Sequence, residues 1–262
     1  MTGAVSRALS IGAWIAIGLT ATEAIARQLT RTRPLGWLPD APLALAAIPA
    51  VALVALLWAA HRERAHRHAG EGARTAAVFA ALFAAGLALQ LHVGARLQSD
   101  AFYYYAYLRS IAFDRDVNFL NDYRLLGQSD KPQLFEPTVT GHAHSAWTIG
   151  PAIVWSPFFA IGHVAASRLR ASGSEVAVDG TSYPYRQAIC IAGLFYALLG
   201  AWLTSGLTRR FFDGGTAGLA TAVTIGGSFM LWYALVEPTM THAPSMAVVA
   251  GFTWAWVATS GR

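Results

Sequence analysis

Cysteine, lysine and charge are all scarce in this chain. The single cysteine, Cys190, excludes an internal disulfide, and it lies in an apolar run outside any metal-binding spacing. Lys131 is the only lysine, so the net charge of +5 is carried almost wholly by arginine. Charged residues are 13% of the 262, against roughly a quarter in soluble domains. With a mean hydropathy of +0.42, this excludes an ordinary soluble domain and places the chain among integral membrane proteins. Arginine clusters beside apolar runs then read as topology signals, and no nucleic-acid partner is implied.

Apolar runs of about 17–25 residues are long enough to cross a bilayer. Candidates are residues 8–26, 41–60, 75–93, 188–207, 216–235 and the shorter 246–259. Residues 151–166 are also apolar, but Pro151, Pro157 and the cluster Trp155, Phe158 and Phe159 suit an interfacial helix better. Parity supports that choice. Arg62, Arg64, Arg67 and Arg74 in one loop and Arg209 and Arg210 in another both belong in the cytoplasm by the positive-inside rule. An even number of spans must separate them, which holds if 151–166 is not counted. Residues 94–186 and 237–244 then lie outside the cytoplasmic membrane. Arg27, Arg31 and Arg33 run against the rule. The first apolar run reads as an uncleaved anchor, although Arg7 and Ala24-Ile25-Ala26 also fit a signal peptide. The expected fold is an all-α integral membrane protein, a multi-spanning bundle with an extracytoplasmic loop of interfacial helices. Its parts are residues 1–93, three spans; 94–186, the loop; and 187–262, three further spans, the last incomplete.

The stretch SDAFYYYAYLRSIAFDRDVNFLNDY, residues 99–123, follows directly on an apolar run. Tyr103, Tyr104, Tyr105 and Tyr107 beside Asp114, Arg115 and Asp116 suit a helix at the membrane surface, with rings at headgroup level and charges in water. In a helix Asp100, Tyr103, Tyr104 and Tyr107 stand at i, i+3, i+4 and i+7, on one face. An acid on an aromatic face at a membrane surface suits chemistry on a lipid-linked substrate. Asp100 has two readings, a helix N-cap or a catalytic carboxylate. Asp114, Asp116, Asn118, Asn121 and Asp122 read either as a polar rim near the acceptor or, preferably, as turn chemistry and local caps.

The pattern resembles the C-type membrane glycosyltransferases (GT-C fold), of the protein O-mannosyltransferase and aminoarabinose transferase kind. The resemblance rests on three blocks in the expected order within residues 89–259. These are an acid followed by YYYAYLRS and FDRDVNFLNDY, then WTIGPAIVWSPFFAIGH, then YALVEPTMTHAPS. It implies a polyprenyl-phosphate-linked sugar as donor, transfer with inversion, and a glycan, lipid or protein hydroxyl as acceptor. Asp100 matches the family's catalytic acid and would act as general base. The phosphate calls for a cation, for which Arg109, Lys131 and Arg186 are candidates, each equally readable as a headgroup anchor or salt-bridge partner. Tyr103, Tyr104 and Tyr107 would stack on the sugar, line the lipid groove or form an aromatic belt. Glu237 matches a second acid that orients the acceptor or binds a metal, and His242 lies near it in the sequence. With His142 and His144 they could form a divalent-metal site, although no spacing specifies one. The resemblance places the chain in the bacterial cytoplasmic (inner) membrane, its loop facing the periplasm or exterior. Members usually continue for several more spans, so the chain matches an N-terminal portion that a further subunit could complete. The alternatives are a non-catalytic partner in glycan assembly, or a lipid or glycan transporter. The transporter would call for ionisable residues or broken helices near the bilayer midplane, whereas the only acid inside a candidate span, Glu23, lies towards an end.

Overall fold

The computed structural model of the protein describes residues 71–260, and the regular structure in that range is helical. In chain order the helices are α1 (Glu71–Val93), α2 (Ala101–Arg109), α3 (Leu120–Leu125), α4 (Gly150–Ala171), α5 (Tyr183–Thr208), α6 (Gly214–Gly226), α7 (Met230–Leu235) and α8 (His242–Thr259). Among the described residues the one extended pairing is an isolated antiparallel bridge, Pro137 to Ala143, so the class is all-α as expected. The expected spans 8–26 and 41–60 lie outside the described residues.

Among the described residues two helices, α4 and α5, are long and apolar enough to cross a membrane. Helix α5 contains the expected span 188–207 and begins earlier, at Tyr183-Pro184. Helix α4, expected to lie at the interface, therefore also has the length and composition of a span. Its proline chemistry is locally resolved. Pro151 sits in the first turn, where its missing N–H costs nothing. Pro157 sits inside and cannot donate to the Ile153 carbonyl, which accepts the Ser156 hydroxyl at 2.8 Å instead. The expected span 216–235 is corrected: it is not one helix. Asp213 caps α6 by accepting the N–H groups of Gly215 and Thr216, and α6 ends after 13 residues at Gly226. Gly226-Gly227 are poor helix formers, and the helical path resumes only at Met230, as the short α7.

The described chain forms two compact units. One comprises residues 71–94, 197–231 and 247–260. Within it Arg209 Nη2 donates to Thr75 Oγ1 at 3.0 Å, and large apolar side chains such as Trp202, Leu219, Val223, Phe252 and Trp256 stand exposed. The other comprises Ala95–Tyr196 and Trp232–Met246, which joins the long loop to the segment carrying Glu237. Hydropathy changes at residues 93/94 and 186/187, whereas packing divides the chain at 94/95, 196/197, 231/232 and 246/247.

In this second unit α2 lies between two apolar clusters. Ala101, Tyr105 and Leu108 join Trp155 and Phe159 of α4 and Tyr185 and Ile189 of α5. Tyr103 and Ala106 join Phe119, Tyr123, Leu134 and Ala143. Helices α4 and α5 approach closely at Gly162, where a Cβ would stand 2.8 Å from the Tyr185 Cα.

Candidate functional site

The approach to Asp100 is set by its neighbour. Ser99 adopts the left-handed region (φ +49°), which is uncommon for a residue with a Cβ, and the chain then turns into α2. Asp100 occupies the N-cap position, and its backbone carbonyl accepts the N–H groups of Tyr103 and Tyr104 at 3.1 and 3.3 Å. Its carboxylate makes no capping hydrogen bond. Among the described residues it has no ion-pair partner either. The N-cap reading thus holds for position and fails for the side chain. A half-buried carboxylate is left free at the positive end of a helix.

The tyrosines are largely absorbed into packing. Apolar clusters cover α2 on two sides. Tyr103 is buried and stacks on Trp147 with ring centroids 3.6 Å apart, while its hydroxyl accepts from Lys131 Nζ at 3.0 Å. Tyr107 donates to the Trp147 carbonyl at 2.8 Å, and Tyr105 donates to the Gly180 carbonyl at 2.5 Å. Tyr104 is half-buried, edge-on to Trp155, and its hydroxyl has no partner among the described residues. Burial pushes the Tyr123 hydroxyl up to about 12 and that of Tyr105 far above its ordinary value, with the nearby Arg186 opposing the latter shift.

Arg109 is not free for a ligand. It is buried, and its Nη1 donates to Asp114 at 2.5 Å and to Asp122 at 2.8 Å. Burial alone would lower its pKa, but the hydrogen bonds to Asp122 and Asp114 raise it. Asp122 is fully buried, and burial raises its pKa despite Arg109. Asp116 does turn chemistry, accepting from Ser110 Oγ at 2.8 Å and from the Asn118 N–H at 3.0 Å. A π turn, Ser110–Asp114, closed by the left-handed Arg115, sets this network.

Lys131 and Arg186 remain. Lys131 Nζ is held by two neutral acceptors, the Tyr103 hydroxyl and Gln128 Oε1 at 2.7 Å. Arg186 lies in the first turn of α5, half-buried, with its Nε enclosed and without a hydrogen bond. Neither cation has an ion pair among the described residues.

The segment leading into α2 and the segment carrying Glu237 meet at a residue that sequence reasoning passed over. The backbone carbonyl of Arg96 accepts from Thr239 Oγ1 at 3.3 Å and faces Cys190 Sγ at 3.8 Å. One carbonyl, shortly before Asp100, therefore links the turn after Arg186 to the turn after Glu237. Gly193 permits this, because a Cβ there would collide with the Pro238 carbonyl. No sequence signal marks such a joint, since a backbone acceptor looks the same in every residue. His242 opens α8 and stacks flat on Tyr233 at 3.7 Å. His142 and His144 lie in the bridge loop, with their backbone carbonyls accepting from Thr138 and Tyr123. Among the described residues, no three His, Cys, Asp or Glu side chains gather as a ligand set, so Glu237 and the histidines do not group as a divalent-metal site there.

No family profile, curated protein or solved structure matches this chain.

Proposed function

We propose that this protein is a membrane glycosyltransferase with Asp100 as its general base. It moves a sugar from a polyprenyl-phosphate donor to an acceptor hydroxyl on the extracytoplasmic side, with inversion. The observation that carries the reading is the free Asp100 carboxylate, in a loop whose other α2-side carboxylates, Asp114, Asp116 and Asp122, are each engaged. In the step, Asp100 accepts the proton of the acceptor hydroxyl as that oxygen bonds to the anomeric carbon. The bond from the anomeric carbon to phosphate oxygen breaks with its electron pair, and the lipid phosphate leaves. Among the described residues Lys131 and Arg186 have no ion-pair partner, and these cations can stabilise the phosphate as its charge grows. Tyr104 is the tyrosine of α2 left to contact sugar or lipid. Glu237, on the turn joined to Arg96 through Thr239, would orient the acceptor.

Embedding in a bilayer is supported by α4 and α5 and by the exposed apolar side chains of the first unit. The proposed arrangement is multi-spanning, in a bacterial inner membrane with the Asp100 loop outside. In it α4 lies along the surface, presenting Ile153, Ile161 and Val164 to lipid.

The test is transfer from radiolabelled polyprenyl-phosphate sugars in membranes of the native host, wild type against Asp100→Asn. General-base catalysis contributes about 10²–10⁴-fold, so a loss of at least about a hundredfold at equal protein level is expected. Unchanged transfer would falsify Asp100 as the base. A wild type without transfer would favour the non-catalytic assembly partner.

A further inference from the structure

Between α5 and α6 the chain makes a tight turn, Arg209-Arg210-Phe211-Phe212, that the transfer chemistry does not use. Backbone bonds pin it: Arg209 to Ser205, Arg210 to Leu207, and both phenylalanines to Thr208, at 3.0 or 3.1 Å. The rings nonetheless stand in the open, Phe211 67% and Phe212 59% exposed. The adjacent acid makes no ion pair with the arginines; Asp213 is turned to the N–H groups of Gly215 and Thr216 and the Thr216 hydroxyl instead. Neutral groups hold both cations instead. Arg209 Nη2 donates to Thr75 Oγ1, while its Nε is enclosed and without a hydrogen bond. The Arg210 guanidinium lies over the Trp254 indole, 5.4 Å from the ring centroid, which directs it without cancelling its charge. Among the described residues neither arginine has a carboxylate partner.

Two oriented, uncompensated cations beside two exposed aromatic rings form a surface with one matching partner. We propose that this turn docks the phosphate headgroups of anionic phospholipid. The arginines hold phosphate oxygens, and Phe211 and Phe212 enter the boundary between headgroups and acyl chains. The phenylalanines distinguish a lipid from free phosphate, because an exposed ring gains only where an apolar phase adjoins the anion. The position agrees: the turn directly follows α5, an apolar helix of 26 residues. It does not rest on the transferase reading.

The test uses the purified full-length chain, delipidated in neutral detergent and titrated with short-chain phosphatidylglycerol or phosphatidylcholine, with native mass spectrometry counting retained lipids. Wild type should retain phosphatidylglycerol in preference to phosphatidylcholine. In R209Q/R210Q that affinity should fall about 30-fold, from roughly 5-fold per arginine, with phosphatidylcholine unchanged. R209K/R210K, which keeps the charge, should retain most of the preference, and F211S/F212S should weaken both lipids. Equal retention of the two lipids by wild type would overturn the proposal, as would an unchanged R209Q/R210Q. A lysine variant as defective as the glutamine one would overturn it too. So would displacement of the lipid by millimolar inorganic phosphate, which would assign the site to the free ion.

Discussion

A buried tyrosine hides its ring and still needs a partner for its hydroxyl, and that requirement sorts the tyrosines of α2. Tyr103, Tyr105 and Tyr107 find Lys131, Gly180 and Trp147, residues remote in sequence, so no local pattern could show that their rings are enclosed. The spacing that puts them with Asp100 on one face is helical and correct; the burial is a property of α4 and the following loop. Arg109 teaches the same lesson. Its role as counter-ion depends on Asp122 arriving from the next helix, and the pair should be costly to break. Asp122→Ala leaves a buried guanidinium with Asp114 alone, and removing one partner of a buried pair costs about 3–5 kcal/mol. Thermal unfolding of the purified variant in detergent should therefore show a clear loss of stability, whereas Asp130→Ala, on an exposed turn, should unfold like wild type.

At the scale of elements, helix ends were more legible than helix continuity. Pro151 and Pro184 stand in first turns, as their chemistry favours. Asp213 opens α6 as a true N-cap, and the hydrogen bonds from the Thr216 hydroxyl, first among them, hold its carboxyl below the ordinary 3.8. The lowered pKa sets the direction of the pH dependence. The unfolded chain binds the proton more readily, so the cap's contribution is present above about 3.8 and is lost as pH falls through the depressed value. Hydrogen exchange at the Gly215 and Thr216 amides should accelerate on acidification relative to the rest of α6. In Asp213→Ala it should be fast already at neutral pH. The break between α6 and α7 was not legible from hydropathy, because Gly226-Gly227 are as compatible with an apolar window as alanine while being far poorer in a helix.

At the scale of the molecule, the second unit depends on close backbone approaches that glycine allows. Gly193→Ala should drive a Cβ into the Pro238 carbonyl and destabilise by about 1–3 kcal/mol, and under the proposed function glycosyl transfer should fall as the Arg96 joint loosens. Gly206→Ala on the same helix is the counter-case. Its nearest neighbour would be Trp254 Nε1 at 3.8 Å, an ordinary contact, so relief of glycine's conformational freedom should leave stability equal or higher. A melting experiment in which both variants lose stability alike would contradict the assignment of the joint to Gly193. The exposed Trp202, Phe252 and Trp256 and the apolar α4 and α5 also predict that alkaline carbonate leaves the chain in the membrane pellet.

Composition and periodicity by themselves determined the all-α class, the position of α5 and the placing of Asp100 at a helix start. Each of these depends on hydrophobicity or on local backbone preference, which neighbouring residues carry. Only the tertiary structure decided that, among the described residues, Asp100 is left free while Arg109 is consumed, that Tyr104 alone of its group keeps an unpartnered hydroxyl, and that Cys190 and Thr239 share the Arg96 carbonyl. Those outcomes depend on which groups far apart in the chain arrive within hydrogen-bonding distance, and a one-dimensional pattern carries no measure of that.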